Sequence, residues 1–314
     1  GQYIGDIALA GGKFSATDNQ VLGGTLSITA DSELTVSDNY TLTLSQAGGL
    51  SLGANTLTLS GGGSLVSGGL TLDNASSKLV LNSITVDNVS TTSDSSSGGL
   101  DVDNDSTVTS LSVAHITPVS IASGSTLSGA ITVSAGSIKL AETGTLASSI
   151  SMSGGKIDAD NSLTVSGALT QSGNITIDVA DNKTLTYSGA SLSLGAYTLT
   201  LIGGGTLSNT NALVLNDADS LLSLAGILVI RDVDGTTASN SGKGIWVTSS
   251  ATLGDYDLSA VSYLSIAANQ TLAGQLNLQT NGELKTSGAG QYIGDIALAG
   301  GKFSATDNQV LGGT

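Results

Sequence analysis

Carboxylates are the most concentrated reactive groups in this chain. Asp101, Asp103 and Asp105 alternate with Val102 and Asn104. In an extended strand that alternation puts all three on one side. Three carboxylates so placed would suit Ca²⁺, a hard cation that takes oxygen ligands. The run opens like an EF-hand loop, but Ser106 stands where that loop needs glycine and Ser112 where it needs glutamate. Asp232-Val233-Asp234-Gly235 is a second, weaker candidate of the same kind. The competing reading of both is a solvated acidic turn in an acidic protein.

Other reactive types are sparse. His115 is the single histidine and there is no cysteine. A Ser-His-Asp triad would have to use His115, no second histidine supports a metal site, and disulfides and thiolate sites are excluded. A lone polar residue near a corner is the simpler reading of His115. The glycine triplets Gly61-Gly62-Gly63 and Gly203-Gly204-Gly205 are followed by no helix and no Lys-Ser or Lys-Thr, so they read as corners and not as phosphate loops. Trp246 and the seven tyrosines could form a sugar-binding platform, but they are scattered, and packing or surface filling is the default reading of Trp246. Asn-x-Ser/Thr triplets at Asn39, Asn74, Asn88, Asn104, Asn174, Asn182 and Asn269 are expected by accident in a chain so rich in Ser and Thr.

Composition narrows the elements that could position these groups. Only 11% of the 314 residues are charged, 3% are aromatic, and there are 43 glycines and one proline. The apolar residues come as Leu-x-Leu and Ile-x-Val pairs between Gly, Ser, Thr, Asn and Asp, which is strand-and-turn chemistry. No apolar stretch is long enough for a membrane helix. The net charge of −16 gives no footprint for nucleic acid and favours solubility or neutral and basic partners. Gly1-Gln2-Tyr3 opens directly into a strand-like pattern with no signal peptide, so a signal has been removed or the chain is an internal fragment.

Repetition is the strongest signal. Gly1–Thr25 and Gly290–Thr314 are identical, letter for letter, 289 residues apart. Residues 1–289 thus form one large repeat, and 290–314 begin the next. The repeat is itself doubled. DNYTLTL at Asp38 matches DNKTLTY at Asp181, and LSLGANTLTLSGGGSL at Leu50 matches LSLGAYTLTLIGGGTL at Leu192. TLSGAITV at Thr126 matches TLAGQLNL at Thr271. Each half is therefore about 144 residues. A looser spacing of about seven or eight residues separates successive Leu-x-Leu pairs, room for a short strand and a tight turn.

Growth by whole blocks favours a stacked architecture over a closed domain. A sandwich of hairpins would need Asn-Gly or Asp-Gly turns, of which Asn281-Gly282 and Asp234-Gly235 are nearly all there are. The expectation is an all-β, right-handed parallel β-helix spanning 1–314 as one continuous solenoid, with three short strands per coil, roughly 22 residues per coil and no caps. In TLTL the leucines then face inward and the threonines outward. Leu42, Leu44, Leu57, Leu59, Leu185, Leu199 and Leu201 should be core.

NTLTLSGGGSL (Asn55 to Leu65) and YTLTLIGGGTL (Tyr197 to Leu207) resemble autotransporter-associated β-strand repeats, found in secreted passenger domains and large bacterial surface adhesins. The resemblance recurs across most of the chain and implies a right-handed β-helix on a cell surface.

The expected function is structural. Stacked repeats would form a rod or extracellular filament, as a stalk, fibre or adhesin shaft, with further copies of the repeat as end-to-end partners and no catalytic residue or cofactor. Two alternatives stand beside it. A carbohydrate-binding or polysaccharide-cleaving β-helix would need clustered carboxylates, basic groups and aromatic subsites, with surface glycans or other cells as partners. An ice-binding solenoid would need flat Thr arrays. Thr41/Thr43, Thr56/Thr58, Thr184/Thr186 and Thr198/Thr200 fit locally. Successive pairs are less than a full coil apart, however, and should fall on different faces.

Overall fold

A computed structural model describes residues 2–229, 231–305 and 310–312. Residues 306–309 and 313–314 of the repeated block lie outside the described residues. More than half of the chain is strand, and there is no helix among the described residues. The strands pair in parallel and stack as a β-solenoid of about 15 turns with about 21 residues each. By contacts the chain divides into two compact units, Gly1–Ser151 and Met152–Thr314.

One coil of the first unit shows the plan. Thr56–Ser60 runs along a first face, Ser64–Val66 along a second and Leu70–Leu72 along a third. The next coil brings Lys78–Asn82 onto the first face and one longer strand, Thr85–Thr91, onto both of the others. Val86 there lies beside Leu65, and Val89 beside Leu70. Such long strands join the second and third faces into one continuous sheet, while the first face remains a separate ladder. In the first unit that ladder has seven strands, from Lys13–Ala16 to Ser137–Leu140. In the second it has eight, from Lys156–Ala159 to Lys302–Ala305.

Alternation decides which side chains enter the core. In Thr56–Ser60 the leucines are buried and the threonines half-buried. Parallel register then sets like upon like. Leu57, Leu79, Leu100 and Val119 form one column, and Leu59, Leu81, Val102 and Ile121 the next. The second unit has its own column of Ile157, Ile177, Leu201, Leu224, Val247 and Ile266. All seven leucines predicted to be core are buried.

The glycine triplets are corners. Gly61 and Gly62 turn the chain from the first face to the second with φ of 106° and 70°, in the left-handed region that favours glycine. A Cβ on Gly61 would lie 2.6 Å from the carbonyl oxygen of Val36 in the coil beneath, so the corner also needs glycine's close approach. Coil length is not constant. The step from Leu100 to its neighbour Val119 is short, whereas the step from Leu34 to its neighbour Leu59 is markedly longer. The extra residues are taken up at corners.

Leu57 is fully enclosed within its column. Leu57→Ala should lower stability by about 2–5 kcal/mol, the usual cost of emptying a buried leucine site. Denaturant unfolding checks this, and a variant as stable as the parent would refute the column.

Candidate functional site

The structure separates the three carboxylates singled out in the sequence. Asp101 lies on the first face, where it forms an ion pair with Lys78 of the adjacent coil. The ladder then slips, so that Leu81 faces Val102 but Asn82 faces Asn104, and exposed Asp103 sits at the irregularity. Asp105 lies in the bend that follows, and its Oδ1 accepts the backbone N–H of Thr126 at 2.8 Å. The alternation needed to gather them is broken by the slip and then by the corner. Among the described residues no three His, Cys, Asp or Glu side chains are arranged to hold a metal ion.

The use made of Asp105 recurs. At a corner the strand ladder is interrupted, and a backbone N–H there needs another acceptor. Asn19 Oδ1 accepts from Thr41 N at 2.9 Å, Asp31 Oδ1 from Thr56 N at 2.7 Å, and Asn174 Oδ1 from Thr198 N at 2.8 Å. Each partner lies one coil further along the chain. Asn39, Asn182 and Asn269 take the complementary role, adopting φ of 65°, 60° and 62° at turns. Thr41, Thr184 and Thr271 begin the strands that follow two residues later. Much of the Asn-x-Thr pattern is therefore the grammar of a corner.

A second acidic group does converge, beyond what the sequence displayed. Asp234 faces Asp257 across the third-face ladder, with Asp232 and Asp255 just ahead of the paired segment. Asn277 of the next coil donates to Asp257 at 2.7 Å. Burial raises the carboxyl pKa of Asp234, and the charges of Asp257 and Asp232 raise it further. Burial and the charges of Asp232 and Asp257 do the same for Asp255. Beneath this group Tyr256 is buried, donates its hydroxyl to Ser262 Oγ at 2.7 Å, and has its pKa pushed well above the usual phenol range, chiefly by burial.

His115 sits near the surface with Nδ1 3.4 Å from Asp94 Oδ1. The Thr pairs fall on different faces, Thr41–Leu44 on the second and Thr56–Ser60 on the first, as their spacing implies. Trp246 and Tyr263, which belong to successive coils, come together on the first face with Lys243 and Lys285 around one groove. No family model, no curated protein and no solved structure matches the chain.

The acidic group yields a pH prediction with a definite sign. A carboxyl whose folded pKa is raised holds its proton more tightly in the folded chain. Its destabilising charge is fully present at neutral pH and is relieved as pH falls through the raised pKa toward the ordinary carboxylate value. Asp234→Asn should therefore stabilise the protein at pH 7 by about 0.2–1 kcal/mol, the scale of a cross-strand charge pair. The gain should shrink as the pH is lowered toward that of an unperturbed carboxylate. Melting curves of both proteins across that range test it, and a variant no more stable than the parent at pH 7 counts against the repulsion.

Proposed function

We propose that this chain is a segment of a non-catalytic structural solenoid, an extracellular shaft or filament extended by stacking 289-residue repeats end to end. The observation that carries the proposal is the pair of identical 25-residue blocks, which bury opposite edges. Tyr3 is 50% exposed, whereas its counterpart Tyr292 is 5% exposed and donates its hydroxyl to the carbonyls of Gly274 and Asp295. Conversely Leu22 is 2% exposed under Leu44, whereas its counterpart Leu311 is 49% exposed. One copy is covered from below and the other from above. A block placed between both neighbours would be covered on both sides.

Charge supports the same register. Lys13 pairs with Glu33 at 2.7 Å, and its counterpart Lys302 pairs with Glu283 at 3.0 Å. Hydrogen bonding to those lysines lowers the pKa of both glutamates. In a continuous array a single lysine would stand between the two glutamates, alternating the sign along the column. Two separate chains butted block against block would instead set lysine against lysine. The alternating column therefore favours a tandem array over stacking of separate chains. Commitment of side chains such as Asp31 and Asp105 to corner amides supports a non-catalytic reading. The resemblance to autotransporter-associated repeats supports placing the shaft on a bacterial surface.

Fourteen coils separate Lys13–Ala16 from Lys302–Ala305. At an interstrand spacing of about 4.8 Å each repeat should add roughly 67 Å. Chains of one, two and three repeats imaged by electron microscopy should lengthen by that increment at constant width. Compact particles whose length does not scale with repeat number would overturn the proposal.

A further inference from the structure

The groove around Trp246 lies on the first face of the second unit and is built from three consecutive coils. Gly244–Ser249 supplies Trp246, with Gly242 and Lys243 just ahead of it, outward positions of Val261–Ile266 supply Tyr263 and Ser265, and those of Glu283–Ser287 supply Lys285 and Ser287. Register places Trp246 beside Ser265, and Ser265 beside Ser287. Tyr263 lies beside Lys285. A Cβ on Gly244 would come 2.3 Å from the carbonyl oxygen of Tyr263, so that neighbour stays bare. Two rings thus rise beside the serines Ser265 and Ser287. The groove as a whole has a volume of about 430 Å³, within the roughly 300–1,000 Å³ usual for small-ligand sites.

Its electrostatics run against the rest of the molecule. The chain carries nine basic residues against 25 acidic ones. Lys13, Lys78, Lys156 and Lys302 are tied to carboxylates. Lys243, at the groove, makes no ion pair among the described residues. Lys285 holds its ammonium 5.5 Å from the Tyr263 ring centroid, within cation–π range. Glu283, two residues away, feels the charge of Lys285 but spends its hydrogen bonds on Lys302 and Ser304. Trp246, the only tryptophan, is 47% exposed, a poor return for an indole whose role is packing.

The first half of the repeat provides an internal comparison. The positions corresponding to Trp246, Tyr263 and Lys285 are Asp101, Pro118 and Lys139, in the same ladder arrangement. There Asp101 is paired with Lys78, whose own counterpart in the second half is Leu221. The same backbone therefore forms without either ring. The second half has exchanged a carboxylate and its counter-charge for aromatic surface, and fold maintenance does not account for the exchange.

We propose that Trp246, Tyr263, Lys243 and Lys285 form a binding site for an anionic sugar, a pyranose bearing a carboxylate or sulfate within a glycan. The apolar C–H face of the ring stacks on the indole, the phenol flanks it, and the ammonium groups meet the anion. The serine hydroxyls beside the rings are placed to bond sugar hydroxyls. An acidic protein does not take up polyanions indiscriminately, so binding of one reports a local site. This site does not depend on assembly into a shaft.

Trp246 is its own probe. Titration with an oligogalacturonate, a sulfated chondroitin oligosaccharide and a neutral cello-oligosaccharide should give a saturable change in tryptophan emission with at least one acidic ligand. The acidic arm that responds identifies the anion. The neutral sugar should bind about tenfold more weakly or not at all, since it forgoes the charge contacts. By calorimetry Trp246→Asp, which restores the first-half residue, should weaken binding about tenfold or more, as loss of a central aromatic contact does. Lys285→Gln and Lys243→Gln should each weaken the acidic ligand about threefold to tenfold and leave the neutral one unchanged. Circular dichroism and melting curves matching the parent show that each variant is folded. The proposal is overturned if neither acidic ligand binds, if the neutral sugar binds as tightly, or if a folded Trp246→Asp protein binds like the parent.

Discussion

Everything in this fold depends on the parallel stacking of one short coil on the next. A coil of about 21 residues cannot bury its own leucines or satisfy its own strand amides. Both needs are met only by the coils above and below. Parallel register then makes each column of side chains share one environment along the stack. A leucine at one level requires an apolar residue about one coil on, as Leu57, Leu79, Leu100 and Val119 illustrate. Sequence repetition follows from that demand.

Where the ladder stops, side chains take over. Asn19, Asp31, Asp105 and Asn174 each accept an amide of the next coil, and Gly61 allows a carbonyl to pass within the space a Cβ would fill. Much of the acidity and the asparagine content is thus architectural. This also explains why carboxylates are a poor guide to function here. The group around Asp234 arises because the third face sets two Asp-x-Asp segments side by side, and raised carboxyl pKa values there reflect burial and mutual repulsion.

The period-two leucines, the glycine corners and the block duplications were readable from the chain alone, because each is local or is an exact repeat. Which residues stack on which was not. Coils differ in length, short between Leu100 and Val119 and long between Leu34 and Leu59, so an average period cannot assign partners. That variation hid the convergence of Trp246, Tyr263 and Lys285, spread over three coils, and of Asp234 with Asp257. Conversely Asp101, Asp103 and Asp105 alternate in the sequence, but the ladder slips and then turns among them. Pro118 was tolerated inside a strand for a related reason. Its missing N–H falls opposite Gly99, where pairing with that neighbour has not begun, since the register starts at Leu100 and Val119.

Parallel pairing also gives every coil two unlike edges. The side of the repeated block that meets Leu272 is not the side that meets Leu44. An association that continues these ladders must therefore join unlike surfaces, head to tail. Such contacts are heterologous, and when they do not close into a ring they propagate without limit. A two-fold pairing of like ends would run the strands antiparallel and set Lys13 against Lys13 or Lys302 against Lys302. Any fibre built this way has a direction, with one terminus chemically distinct from the other, so an anchor at one end fixes which face of the repeat is presented at the far tip.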